Sequence, residues 1–163
     1  MPGVNCIGID PSVAKGNAFA WLRGRKWVTY ATRGRHALND QDVLKVAKTD
    51  GATHAVIEDG YVGPNKHTAL QLAEVRGALK ALAQQVGLEV VLVKPRTWQV
   101  AMLTVNGYTP KTRCDIKNQS KWVARLYAGR DIGEDESDAL CIAVWGNAQR
   151  WEVKHGRRKE TAL

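Results

Sequence analysis

The chain has 163 residues, and its 24 Lys and Arg against 16 Asp and Glu give a formal net charge of +8. This length suits one domain and is enough to bury a core without a disulfide or a structural metal. The hydrophobic content of 44% is ordinary for a globular protein. No apolar run approaches the roughly 18 residues of a membrane helix, and no secretory signal is recognisable at the start. We therefore expect a cytoplasmic protein without a membrane partner, and the positive charge predicts a polyanionic partner.

The first half of the chain predicts three strands, a short helix and a fourth strand. Short apolar, β-branched runs that end in turn-forming residues indicate the strands. The Arg-Gly-Arg turn at 23–25 joins the second and third strands as an antiparallel hairpin, and the Asn39-Asp40 pair is suited to cap the helix. The predicted strands cover 4–10, 16–22, 26–32 and 54–58, and the helix covers 39–48.

The second half predicts a long helix, a fifth strand and three further helices. The long helix runs from 64 to about 85, with apolar residues at alternating spacings of three and four, and Gly87 ends it. This order of elements indicates an α/β fold with a mixed sheet. The strand is predicted over 88–93, the helices over 95–103, 117–128 and 135–150, and an irregular loop over 104–116.

Four carboxylates stand at the ends of predicted elements. Asp10 ends the first strand and Glu58 ends the fourth. Asp135 and Asp138 lie three residues apart at the start of the last helix, and therefore on one helix face. Taken singly, each is explained as a turn former, a rim residue or a charge favoured by the helix dipole. Together they predict a shared site, because carboxylates gathered from separate elements repel one another unless a cation lies between them.

Such a partly open cluster of oxygen ligands suits Mg²⁺, for which Mn²⁺ can substitute. Two ions about 4 Å apart can activate a water on one side of a phosphodiester and stabilise the leaving oxygen on the other. The predicted activity is therefore metal-dependent hydrolysis of nucleic acid, with two ions in each active site and no nucleotide cofactor.

Most of the positive charge falls in the segment 94–130, which holds eight Lys or Arg and one acid. Five acids follow within 131–138, an order expected where a phosphate-binding track leads to a metal site, although a solvated charged face is the alternative. We interpret 1–150 as a single nuclease domain and 151–163 as a basic tail. The DNA-binding candidates in the basic segment are Lys111, Arg113, Lys117 and Lys121.

Four segments, in order, resemble the RuvC-type Holliday junction resolvases of the RNase H-like superfamily. The segment 6–12 resembles the family's opening strand with its first catalytic Asp, and 56–58 with the following helix resembles its second catalytic motif. The segment 117–125 resembles the family's basic segment, and 135–143 resembles its D-x-x-D-A-L motif. The resemblance covers almost the whole chain and implies an α/β RNase H-like fold, with a mixed central sheet flanked by helices.

The resemblance implies a Mg²⁺-dependent crossover junction endodeoxyribonuclease that resolves four-way DNA junctions by paired nicking. Lys117 corresponds to a family lysine near the scissile phosphate. Tyr61 falls where the family has an aromatic residue that can stack on an unpaired base, although an exposed Tyr without such a role is equally common. Arg76, in the helix after the second motif, is predicted as a further DNA contact. The residues that correspond to the metal-binding catalytic carboxylates are Asp10, Glu58, Asp135 and Asp138.

The resemblance also implies a homodimer, because symmetric cutting of a junction needs two equivalent active sites. An apolar stripe on the long helix has coiled-coil-like spacing, although packing against the chain's own sheet explains it equally well. A bacterial cell or a phage-infected host is the expected location. The stripe consists of Leu72, Val75, Leu79, Leu82 and Val86.

Several alternatives stay open at this point. Two spare acids, Asp59 and Glu136, lie beside catalytic positions, and either could replace its neighbour as a metal ligand. A flap or fork nuclease of the same fold is a related alternative. A non-catalytic junction-binding protein would use the basic segment but would not need four carboxylates.

Overall fold

The computed structural model describes residues 4–35, 37–60, 64–149 and 151. These residues form strands and helices in the predicted order. The strands are β1 (Cys6–Asp10), β2 (Ala18–Arg23), β3 (Lys26–Ala31), β4 (His54–Glu58) and β5 (Glu89–Val93). The helices are α1 (Asp40–Thr49), α2 (Lys66–Val86), α3 (Pro95–Leu103), α4 (Arg113–Ala128) and α5 (Glu134–Ala148). No helix within these ranges combines the length and hydropathy that crossing a membrane requires.

The five strands form one mixed sheet in the order β3-β2-β1-β4-β5. β2 pairs antiparallel with both β1 and β3, which confirms the predicted hairpin. β1, β4 and β5 are parallel, and helical connections join them, as parallel neighbours require. The C-terminal ends of β1 and β4 therefore lie side by side at the centre of the sheet.

Helices cover both faces of the sheet, and the alternation of side chains along each strand divides the core between them. Ile7 of β1 packs on the face covered by α1 and α2. Cys6 of β1 and Val56 of β4 pack on the opposite face, among residues of α3, α4 and α5. Asp10 and Glu58 follow Cys6 and Val56 by an even number of residues, so the same alternation directs them toward the face that α5 covers.

The contact between α5 and β1 depends on glycine. A Cβ atom at Gly8 would lie 2.5 Å from the backbone N of Ala143 and closer still to the carbonyl oxygen of Ala139. A Cβ atom at Gly146, further along α5, would lie 2.8 Å from Cγ2 of Val56. The two glycines allow the α5 backbone to lie directly against β1 and β4.

The apolar stripe of α2 packs against the chain's own sheet. Leu79 is buried in the core cluster on that face, and Val75, Leu82 and Val86 pack against the same cluster. Packing within the chain, one of the two explanations given above, therefore accounts for most of the stripe.

The loop predicted over 104–116 is too long, because α4 begins at Arg113 rather than at Lys117. Thr112 is the N-cap residue of α4. Its Oγ1 accepts a hydrogen bond from the backbone N of Asp115 at 3.1 Å and donates one to the Asp115 carboxylate at 2.7 Å. This reciprocal cap satisfies the first turn of the helix and moves its start toward the N-terminus.

Gly8→Ala should destabilise the protein by about 2 to 4 kcal/mol, because the added methyl group overlaps the α5 backbone. Gly77→Ala is the matched control. A Cβ atom at Gly77, within α2, meets nothing within 4 Å, so this change should stabilise the protein by about 0.5 to 1 kcal/mol. Urea unfolding measures both effects, and equal stability of Gly8→Ala and the parent chain would contradict the close contact.

Candidate active site

Asp10 and Glu58 lie at the same edge of the sheet. They are the last residues of β1 and β4, which pair in parallel with Ile9 opposite Ile57. The chain stays attached to β5 just beyond Glu58, because the backbone N of Asp59 donates a hydrogen bond to that strand at 2.7 Å. The structure therefore brings together two of the predicted carboxylates.

Asp138 adds a third carboxylate from a third element. It lies in the second turn of α5, next to Ala139, the residue whose carbonyl oxygen faces Gly8 of β1. Only 6% of the surface of Asp138 is exposed. Asp138 lines a cleft of about 660 Å³ together with Asp10 and Glu58.

Helix α4 supplies two hydrogen-bond donors to Asp138. Lys117 and Ser120 are three residues apart and therefore share one face of α4. Ser120 Oγ donates to Asp138 Oδ1 at 2.5 Å, and Lys117 Nζ donates to Asp138 Oδ2. Lys117 Nζ is also 3.9 Å from Asp135 Oδ1. The predicted catalytic lysine thus lies among the carboxylates.

Helix α3 supplies one donor to Glu58. Trp98 is almost fully buried, and its Nε1 donates a hydrogen bond to Glu58 Oε2 at 2.7 Å. A buried indole N–H needs an acceptor, so this bond also satisfies the tryptophan. The contact fixes one oxygen of Glu58 and with it the orientation of the carboxylate.

The strand-end carboxylates resist ionisation in the metal-free protein. Burial raises the pKa of Asp10 well above its ordinary value. The negative charges of Glu58 and Asp138 raise the pKa of Asp10 further, whereas the positive charge of Lys117 opposes them. Burial also raises the pKa of Glu58 to about 7, and the hydrogen bond from Trp98 acts in the opposite direction.

Asp138 and Lys117 form an ion pair in which both pKa values are raised. Burial raises the pKa of Asp138, while the contacts with Lys117 and Ser120 counteract part of that rise. Burial alone would lower the pKa of Lys117, but the negative charges of Asp138 and Asp10 outweigh it and raise this pKa. Lys117 is therefore a firmly held positive charge inside an acidic cleft.

The basic residues predicted to bind DNA have different surroundings. Lys111 and Arg113 line the same cleft as the carboxylates. Lys121 is exposed on α4, one turn beyond Lys117. Tyr61 lies outside the described residues.

Arg76 binds the segment that follows Glu58. Its Nη1 is 3.0 Å from Asp59 Oδ1 and donates a hydrogen bond to Gly60 O at 3.1 Å. Asp59 lines a neighbouring pocket with Arg76 and Lys94. The spare acid Asp59 is thus paired with an arginine at the side of the cleft, and the role of Arg76 in DNA binding stays a prediction.

Asp135 and Glu136 lie at the N-terminus of α5 and are both bound by Arg33, which follows β3. Arg33 Nη2 is 3.5 Å from Asp135 Oδ2 and 3.3 Å from Glu136 Oε2. The carboxylate of Glu136 lies over Gly133, the N-cap residue of α5. Neither acid is among the described residues that line the cleft.

The donor chemistry of the cleft fits a divalent cation. Its acidic groups offer carboxylate oxygens, which Mg²⁺ and Mn²⁺ prefer. Within the described ranges, no group of three or more Asp, Glu, His or Cys side chains is close enough together to hold a metal ion. The ammonium of Lys117 contacts both Asp138 and Asp135, so it supplies the balancing positive charge in this arrangement. A bound ion would require the carboxylates to move closer to one another.

Three residues of the site had no predicted role: Trp98, Ser120 and Arg33. Ser120 carries a recognisable signal, because it is three residues from Lys117 and must share its helix face. Trp98 and Arg33 meet their partners only through the tertiary fold, across 40 and more than 100 residues of sequence. Sequence spacing therefore gives no indication of either contact.

The mixed sheet with helices on both faces and carboxylates at the ends of its central strands is typical of the RNase H-like nucleases. Comparison with solved structures agrees. A Thermus thermophilus RuvC structure matches with a TM-score of 0.62 over 86% of this chain and 92% of the other, at 16% identity. The structure "T. thermophilus RuvC in complex with Holliday junction substrate" matches with a TM-score of 0.65, also at 16% identity, over 86% of this chain and 91% of that one.

Sequence comparison leads to the same group of proteins. No protein-family model matches the chain. The crossover junction endodeoxyribonuclease RuvC of Rickettsia akari (strain Hartford) is 27% identical over 158 residues, covering 88% of this chain and 97% of the relative. The RuvC of Rickettsia prowazekii (strain Madrid E) is 28% identical over 154 residues, covering 84% and 92%. The predicted RNase H-like fold and the predicted resemblance to RuvC-type resolvases are both confirmed.

Glu58→Gln should change how the stability of the metal-free protein depends on pH. The pKa of Glu58 is about 7 in the folded state and 4.5 without the effects of the fold. Between these pH values the folded state therefore binds more protons than the unfolded state. Stability should therefore fall as the pH rises from about 5 to 8, and Gln, which cannot ionise, should avoid up to about 3 kcal/mol of this loss. Denaturant unfolding in chelator at pH 5 and pH 8 measures the difference.

Glu74→Gln, at an exposed position of α2, is the control for this experiment. It removes the same charge on the surface and should follow the parent chain at both pH values. Parallel pH profiles for Glu58→Gln and the parent chain would contradict the raised pKa.

Proposed function

We propose that the chain is a metal-dependent endonuclease that resolves four-way DNA junctions by paired nicking. The proposal is carried by the convergence of three carboxylates from β1, β4 and α5 with Lys117 in one cleft. It is supported by the similarity to RuvC endonucleases over most of the chain, one of which is described in complex with a Holliday junction.

The metal-binding residues we propose are those on the cleft, with Asp135 as a fourth ligand. Two divalent ions, Mg²⁺ or Mn²⁺, would activate a water for attack on the phosphodiester and stabilise the leaving oxygen. The chain's own residues orient these ligands, because Trp98 holds Glu58 and Ser120 holds Asp138. The ligands on the cleft are Asp10, Glu58 and Asp138.

The DNA backbone would enter the cleft beside the basic residues. Lys111 and Arg113 are on the cleft lining and could bind phosphates next to the scissile one, and Lys121 could extend this track along α4. We propose that Lys117 supplies positive charge to the reacting phosphate. Tyr61 and Arg76 complete the proposed DNA contacts, with Tyr61 stacking on an unpaired base.

Symmetric cutting further requires a homodimer, which we propose forms on the side of β5 and α2. β5 is an edge strand of the sheet, and its Leu92 is 47% exposed. Leu70 of α2 is 66% exposed. Exposed leucines beside an open strand edge are the surface that a partner chain would cover.

Asp10→Asn should reduce junction cutting by at least about 100-fold, because loss of a metal ligand removes several kcal/mol of transition-state stabilisation. Junction binding should be retained or become tighter, because one negative charge that repels DNA is gone. The measurement uses an immobile four-way junction, a flap and a plain duplex, each with Mg²⁺ or chelator, on a denaturing gel. Binding is measured in parallel by fluorescence anisotropy in chelator.

Asp42→Asn is the matched control, since Asp42 lies on α1, on the opposite face of the sheet, and its removal should leave cutting unchanged. Paired, metal-dependent nicks in the junction support a resolvase. Cutting of the flap as well supports the broader branched-DNA nuclease. Binding without any cutting by the parent chain would instead support the non-catalytic junction-binding protein and overturn the proposal.

Leu92→Lys should weaken the dimer and convert paired nicks into single ones, because a buried charge at the interface is costly. Leu126→Lys is the control: Leu126 is 63% exposed on α4, on the other face of the sheet, so the dimer should survive this change. Multi-angle light scattering at the concentration of the cutting assay gives the mass. A monomeric parent chain that still makes paired nicks would contradict the dimer.

A further inference from the structure

Arg33 binds the candidate site from outside the cleft. It follows β3, an edge strand, and reaches across to the start of α5, where its Nη2 contacts Asp135 and Glu136. About 47% of the Arg33 side chain is exposed, whereas both acids are about 80% covered. The arginine is therefore the movable partner in this contact.

The two acids differ in the contacts they make besides the one with Arg33. The carboxylate of Glu136 lies over Gly133 at the N-terminus of α5, where the helix dipole also favours its negative charge. Asp135 is held between two cations, with Arg33 at 3.5 Å from Oδ2 and Lys117 at 3.9 Å from Oδ1. The position of Asp135 is thus set by long, exchangeable ion pairs.

Among the described residues that line the cleft, Asp138 is present, but Asp135, one turn earlier in α5, is not. Arg33 attracts Oδ2 of Asp135 toward the end of β3. Strand β2 lies between β3 and β1, so this attraction is directed away from the strand that carries Asp10. A divalent ion bound beside Asp138 would compete with Arg33 for the same carboxylate, because Asp135 cannot bind fully to both.

We propose that Arg33 is a positioning residue that holds Asp135 away from the metal site and competes with the divalent cation for it. This inference rests on the proposed function, since it assumes that the carboxylates bind metal. Ion binding requires Asp135 to leave Arg33, so the energy of that ion pair weakens the binding of the cation. Removal of Arg33 should consequently tighten metal binding, an effect opposite to that of general structural damage.

The test is a titration of the full chain with Mn²⁺ in the absence of DNA. Electron paramagnetic resonance measures the concentration of free Mn²⁺ at each step. Arg33→Met should lower the dissociation constant about two- to fivefold, the range expected for an exposed ion pair. Arg33→Lys should bind Mn²⁺ as the parent chain does. Arg35→Met is the matched control, because it removes the same charge from an exposed position two residues away and should have less than half the effect.

A double-mutant cycle shows whether Arg33 acts through Asp135. In an Asp135→Asn background, Arg33→Met should tighten Mn²⁺ binding no more than Arg35→Met does. Equal affinities for Arg33→Met and the parent chain, or equal effects of Arg33→Met and Arg35→Met, would overturn the inference. Failure of the proposed function gives a different result. If Asp10→Asn does not weaken Mn²⁺ binding, or if the parent chain does not bind Mn²⁺, both the proposed function and the inference about Arg33 are overturned.

Discussion

The close contact between α5 and β1 is the constraint on which the candidate site depends. Gly8 has no side chain, and this allows the α5 backbone at Ala139 and Ala143 to lie against the strand. Asp10 is two residues beyond Gly8 and therefore emerges on the same face of the sheet. Asp138 immediately precedes Ala139, so the contact that packs the core also sets the separation of two carboxylates. A shift of about 1 Å at such a site can cost roughly 100-fold in rate, so a glycine outside the cleft is as important as the residues on it.

The parts of this arrangement that sequence reasoning predicted are those with a local physical signal. β-branched runs indicate strands, an acid where the run stops lies at a sheet edge, and two acids three residues apart share a helix face. Family resemblance then joined these separate signals into one site. The predicted start of α4 was wrong, although the sequence contains a signal for the observed start. Thr112 and Asp115 have the spacing of a capping box. The contact between Trp98 and Glu58 had no local signal, because it exists only once α3 packs beside β4.

The site is costly to the fold that contains it. Carboxylates at Asp10, Glu58 and Asp138 are poorly solvated and repel one another, and the raised pKa values express this cost. Burying Lys117 among them recovers part of the lost free energy by neutralising charge. A hydrophobic core residue at any of the three positions would avoid the repulsion, so stability does not explain the presence of the three acids together.

The donors around the carboxylates fall into two kinds, and the difference determines how the site can respond to a cation. Trp98 and Ser120 are neutral and buried, and each donates to one carboxylate oxygen. Neutral donors orient a ligand without repelling an incoming ion, so they can keep their bonds when it binds. Lys117 and Arg33 are charged, and they balance the carboxylates in the metal-free protein. Binding of a divalent ion would therefore displace the charged donors and leave the neutral ones in place. Displacement of Lys117 would leave its positive charge inside the cleft, available to an anionic ligand such as a phosphate.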